Sequence, residues 1–159
     1  MLLNFDNGDP FATGLASYRY LPVPGSGDAS RIIVQIEVDG DQIEAILDTG
    51  GGYFLCKPEL AEAIGIDPAE ALESLSITMK KYTIRGILHR IEIKLLHDIA
   101  ENGADLPFEV TAFFPDPDQQ FEKDFLPYSY LGMHCCMERI RFAVDPCAGE
   151  EKFYFGAHP

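Results

Sequence analysis

Tryptophan is absent from this 159-residue chain, and cations are scarce, with 12 Lys and Arg against 26 Asp and Glu. The resulting net charge of -14 excludes the basic surface that phosphate binding requires, so no nucleic-acid partner is expected. Long apolar runs are missing too: none approaches the ~20 residues of a membrane span, and no membrane partner is expected. The stretch from Met1 to Asp9 lacks both a basic segment and an apolar core. It does not read as a secretory signal, and a cytoplasmic protein is expected. Cysteine is limited to Cys56, Cys135, Cys136 and Cys147, too few and too irregularly spaced for a disulfide framework and suited to a reducing compartment. His134-Cys135-Cys136 has no Cys-x-x-Cys partner, and adjacent residues on a helix point in different directions, so no metal and no cofactor are expected. His89, His97 and His158 accompany no nucleophile with a local signature, which sets aside Ser and Cys hydrolases.

What the chain does contain is a series of short strand-like runs separated by turn signals. Arg31 to Val38 and Gln42 to Leu47 are joined at Asp39-Gly40, a dipeptide suited to the positive φ angles of a tight hairpin turn. The second run delivers Asp48-Thr49-Gly50 into Gly51-Gly52, where missing β-carbons let another backbone or a ligand approach closely. Tyr53 to Leu55 returns as a short strand. Pro58 to Ile64 reads as a helix, proline first and closed by Gly65, and Asp67 to Glu70 has the form of a capping box opening a second short one. Strand character resumes at Leu75, continues through the alternating Ile91, Ile93 and Leu95, and returns at Phe108 to Phe113, where Pro115 stops it. Between Leu75 and Leu95 the pattern is a hairpin with its tip within Lys80 to Gly86. Met133, Cys136, Met137 and Ile140 recur at helical spacing, so Cys136 is expected in the core. Residues 1–30, rich in Gly, Pro, Asp and Ser, read as an arm or loop, and residues 31–159 as one mainly β, barrel-like domain.

Four of these segments form a set: Leu47-Asp48-Thr49-Gly50, Tyr130-Leu131-Gly132, the run from Arg139 to Pro146, and the run from Lys152 to Gly156. Over roughly residues 31 to 156 the chain thereby resembles the retropepsin-like aspartic proteases, most nearly their bacterial single-domain members. The resemblance implies a closed acid-protease-type β-barrel, a single lobe with one or two short helices. It implies Asp48 as the catalytic acid, supported by the Thr49 hydroxyl and the Gly50 amide. It also implies that Lys80, Lys81, Tyr82, Thr83 and Ile84 belong to a flap that covers a bound peptide. Lys80, Lys81, Arg85 and Arg90 form the main cationic cluster, either a solvated strand face or an attractor for an acidic peptide segment. Gly51 departs from the usual Ala or Ser of the family, which leaves the acid intact and bears on the stiffness of the loop.

The chemistry adds a condition. Hydrolysing a peptide without a metal or covalent nucleophile requires one group to take a proton from water and another to protonate the carbonyl oxygen. Two carboxylates about 3 Å apart can do both, because they cannot both ionise. This chain carries one suitable acid; Asp6-Asn7-Gly8 lacks the hydroxyl and the preceding apolar strand. The leading expectation is therefore an aspartic endopeptidase acting on a peptide or protein substrate, its dyad formed by Asp48 from each half of a homodimer. A non-catalytic dimeric relative that binds a peptide or partner in the same cleft is the alternative. A monomeric structural domain, with Asp48 only a turn former, is the third.

Overall fold

A computed structural model of the chain describes residues 2–24, 29–79, 81–98, 100, 102–122 and 125–159. The strands are β1 (Gly14–Ser17), β2 (Arg19–Pro22), β3 (Ser30–Val38), β4 (Asp41–Leu47), β5 (Phe54–Leu55), β6 (Glu73–Met79), β7 (Tyr82–Leu95), β8 (Leu106–Pro115), β9 (Ser129–Leu131), β10 (Ile140–Asp145) and β11 (Lys152–Ala157), with one α-helix, α1 (Pro58–Ile64). The larger sheet runs β2-β3-β4-β9-β5-β8-β7-β6, and a further pairing of β3 with β7 links the strand order back on itself. The smaller runs β1-β11-β10. The architecture is mainly β, as expected.

Local signals account for several elements directly. Val38 pairs with Asp41 across Asp39 and Gly40, whose φ angles of 51° and 85° give the hairpin its twist-matched turn. Helix α1 starts on Pro58 and ends on Gly65 in the left-handed region, whose N–H returns to the Ala61 carbonyl at 3.1 Å. The box at Asp67 is smaller than expected. Its carboxylate accepts from the Ala69 N–H, but the result is a single 3-10 turn over Pro68–Glu70, because Ala71 is already extended on its way into β6.

Side-chain alternation sorts the core into two bodies, one on each face of the large sheet. Val34, Ile36, Val38, Ala45, Leu47, Ile93, Leu95, Val110, Ala112, Phe114 and Leu131 fall in the first. Their neighbours Ile33, Ile46, Ile84, Leu88, Phe113 and Tyr130 fall in the second. Strands buried on both faces carry near-continuous apolar runs, which is how β8 reads.

Two expectations are corrected. Residues 1–30, expected as an arm or loop, carry β1, paired with β11 (Leu15 opposite Tyr154), and β2, paired with β3 (Tyr20 opposite Ile32). Ala12, Leu15, Ala16, Tyr18 and Val23 are buried there. The Gly and Pro signals delimit strands too short to show a period, whose pairing partners are supplied by the tertiary fold. The stretch after Gly132, expected as a helix, is a 3-10 turn over Met137–Arg139, because Cys135 sits at φ 52° and Cys136 leaves the helical region. The burial expected of it holds, with Cys136 and Met137 fully enclosed.

Phe155 is fully buried on β11, between β1 and β10. Phe155→Ala is expected to cost about 3–5 kcal/mol by leaving a cavity. Urea unfolding should show this as a lowered midpoint at nearly unchanged slope.

Candidate active site

Asp48 leaves the end of β4 where β9 lies parallel beside it, with Ile46 opposite Tyr130 and Leu47 opposite Leu131. The Asp48 N–H continues the ladder by donating to the Leu131 carbonyl at 3.0 Å, and then the chain turns. The Gly50 N–H donates to the Asp48 carboxylate (Oδ1, 3.2 Å) and the Gly51 N–H to the Asp48 carbonyl (3.1 Å). The acid is therefore oriented by its own loop while remaining half-buried, with Thr49 and Gly50 exposed beside it.

The far side of the loop is tied to the segment after β9. Gly132 N–H donates to the Tyr53 carbonyl at 2.9 Å, Met133 N–H to Gly51 at 2.7 Å, and Tyr53 N–H to the His134 carbonyl at 3.0 Å. This lacing requires the glycine. A β-carbon at Gly132 would lie 2.3 Å from the Tyr53 carbonyl oxygen and 2.6 Å from the Gly52 backbone. Tyr53 itself is held at φ 54°, an uncommon conformation for a bulky residue. Gly51 also has a local reason, since a β-carbon there would meet Asp48 Oδ2 at 2.7 Å. The hydrogen bonds from residues 132–134 brace the loop whatever side chain stands at 51.

Tyr130, on β9, entered the sequence reading only as part of the Tyr130-Leu131-Gly132 motif, with no role of its own. Its phenol is pushed above the ordinary value mainly by burial and next by the Asp48 carboxylate, with Arg31 opposing. Pairing of β4 with β9 brings it beside the acid, and nothing local in the sequence signals that.

Of the residues expected to form a flap, Tyr82, Thr83 and Ile84 lie on β7 of the β6–β7 hairpin. Met79 pairs with Tyr82, so the reversal falls between them; Lys80 lies outside the described residues. Thr83 pairs with Thr78 inside the hairpin, and Ile84 is fully buried in the second core body, which makes it a support and not an open contact. The hairpin's contacts run to residues 116–125. Tyr82 packs against Phe125 with ring centroids 4.4 Å apart and against Phe121 at 6.1 Å. Lys81 pairs with Glu122, and the Arg85 backbone exchanges two hydrogen bonds with the Gln119 amide. Glu122 is held below the usual carboxylate range, first by a hydrogen bond from Tyr82 and then by Lys81.

Cysteines 56 and 136 are enclosed, and burial pushes both thiols up to about 12, which makes them inert. Cys135 differs. Its Sγ lies 3.6 Å from His134 Nε2, and His134 Nδ1 lies 3.4 Å from Glu138 Oε1. The expectation that neighbours here point apart assumed a helix, and the left-handed Cys135 removes that premise.

No family model matches the chain, and neither does any curated protein. Among solved structures it is similar to a crystal structure of a retropepsin-like aspartic protease from Rickettsia conorii. The two share 15% identity at a TM-score of 0.50, over 91% of this chain and 95% of that one. The fold is thus retropepsin-like.

Two measurements test this geometry. Gly132→Ala should destabilise the chain by about 1–3 kcal/mol through overpacking, seen as a lower thermal midpoint. Asp48→Asn should lower the Tyr130 titration, because it removes a negative neighbour that disfavours the phenolate; ultraviolet titration against a Tyr130→Phe reference isolates that residue. The sign for stability follows. A phenol raised in the folded state contributes fully below its unfolded value near 10 and loses that contribution as pH rises through the folded value.

Proposed function

We propose that the chain is an aspartic endopeptidase whose active site forms on a two-fold axis from Asp48 of two copies. The observation that carries this reading is the Asp48 loop: a half-buried carboxylate at a strand end, oriented by its own glycine amide, with Thr49 and Gly50 exposed beside it. The retropepsin-like fold supports it. The other Asp-x-Gly does not compete, because Asn7 is engaged in a local turn with Asp9.

On a two-fold axis each chain contributes the same surface, so one loop supplies both acids. Two adjacent carboxylates hold one proton between them. The charged one takes a proton from water, while the neutral one protonates the scissile carbonyl oxygen. Thr49 would fasten the paired loops through its hydroxyl. An extended peptide would lie between the two Asp48 loops and the β6–β7 hairpins, with Lys81, Tyr82 and Thr83 nearest the tip. Four free cysteines fit a reducing, cytoplasmic setting. Among the described residues, no helix is long and apolar enough to cross a membrane.

Asp48→Asn is expected to lower cleavage of an unfolded protein substrate by roughly 10²–10⁴-fold, the usual worth of an acid–base group. Circular dichroism and sedimentation should stay unchanged. Cleavage near the parental rate would sink the assignment, and a parental protein that binds peptides without cutting them would support a binding domain instead. Shared chemistry has a second consequence. Excess Asp48→Asn chains should poison parental ones through one-acid heterodimers, and dilution below the dimer dissociation constant should lower specific activity. Full activity in a sedimenting monomer would exclude the two-chain site.

A further inference from the structure

We propose that His134, Cys135 and Glu138 form a binding site for a zinc ion beside the loop that carries Asp48. One imidazole nitrogen, the Cys135 sulfur and one Glu138 carboxylate oxygen lie within 4.8 Å of one another. An imidazole, a thiolate and a carboxylate together make a borderline-soft set, which favours zinc over the hard cations magnesium and calcium.

The spacing fits an ion. Zinc–sulfur and zinc–imidazole bonds of about 2.3 and 2.0 Å meeting at a tetrahedral angle hold sulfur and nitrogen about 3.5 Å apart. His134 Nε2 and Cys135 Sγ stand 3.6 Å apart. Glu138 is already positioned at this turn, because its Oε1 accepts from the Cys135 N–H at 2.6 Å. Accessibility fits as well: the side chains of His134 and Glu138 are 61% and 49% exposed, so they can close on an ion without disturbing the core. Three protein ligands leave a fourth position for water or an incoming group. On binding, the thiol gives its proton to solvent and the thiolate coordinates.

The backbone explains why adjacent residues can share an ion here. Cys135 takes a left-handed conformation, which interrupts the helical progression that would send its sulfur away from His134. The site is also mechanically joined to the Asp48 loop. The His134 carbonyl accepts from Tyr53, Gly52 bridges to His134, and the Tyr53 ring stands edge-on to the imidazole at 5.1 Å. A bound ion would therefore stiffen the same segment that braces the acid.

The test uses the full reduced chain and zinc alone, with cobalt as an optical probe. Equilibrium dialysis is expected to give one zinc per chain, and cobalt should produce thiolate-to-metal absorption in the near ultraviolet. Cys135→Ser should abolish that band, and His134→Asn and Glu138→Gln should each weaken zinc at least about tenfold, as loss of a ligand requires. Cys147→Ser, which changes the exposed cysteine elsewhere, should leave binding intact. Without any substitution, zinc should protect Cys135 from alkylation in peptide maps, and magnesium should not. The proposal is overturned if the parental chain takes up no zinc at micromolar concentration, if uptake is unchanged in Cys135→Ser, or if Cys135 alkylates equally fast with zinc present.

Discussion

The close approach of Gly132 to the backbone at Gly52 and Tyr53 is the constraint on which the candidate site depends. A loop that turns out of a strand end has free amides and carbonyls, and a floppy carboxylate is a poor proton carrier. Here residues 131 to 134 act as a second rail. Leu131 receives the Asp48 amide, Gly132 reaches the Tyr53 carbonyl, Met133 reaches Gly51, and His134 receives the Tyr53 amide. Any β-carbon at 132 would force this rail away from the loop.

Strand order then separates what is rigid from what can move. The acid emerges from β4, which has strand neighbours on both sides, β3 and β9, and buried cores on both faces. Among the described residues, the β6 strand of the hairpin is an edge, paired only with β7. The hairpin's ion pairs, Lys81 with Glu122 and Arg85 with Asp118, are exposed and individually worth little, whereas the Tyr82–Phe125 contact buries aromatic surface. Pairing of β7 with β8 ends at Gly86, and beyond it the tip of the hairpin carries the Tyr82–Phe125 contact, while the carboxylate rests on the centre of the sheet. Under the proposed activity, this tip is where a peptide would enter, which suits its lower local stability.

Legibility in the sequence followed the range of the interactions. The hairpin at Asp39-Gly40, the helix between Pro58 and Gly65, and Asp48 at a strand end were readable because each is decided within a few residues. Tyr130-Leu131-Gly132 was readable only through resemblance, since a parallel partner eighty-odd residues away leaves no local trace. β1 was missed for the same reason, since its partner is β11, whereas β2 pairs with the next strand, β3, and was missed because a four-residue strand shows no convincing period. The turn at 132 to 139 misled in a different way. Its apolar spacing gave the buried residues correctly, but a 3-10 turn and a left-handed Cys135 replaced the helix, and with it went the argument against a ligand cluster. His134 and Cys135 had been weighed as neighbours in the sequence, but Glu138, four residues beyond His134, had not.

Charge sets the remaining condition on function. Each chain carries -14, so the proposed pair of chains would bring -28 (twice -14) into one particle, with part of that charge placed at the centre by the two Asp48 loops. Such self-repulsion keeps single chains soluble and opposes assembly until salt screens it over a Debye length of about 8–10 Å. In the proposed dimer, backbone pairing and apolar contacts, which salt does not screen, would supply the favourable part of association. Under the proposed two-chain site, a chain whose charge resists pairing would make activity depend steeply on concentration and ionic strength: repulsion would keep dilute chains apart, and mass action with salt screening would bring them together where chains accumulate.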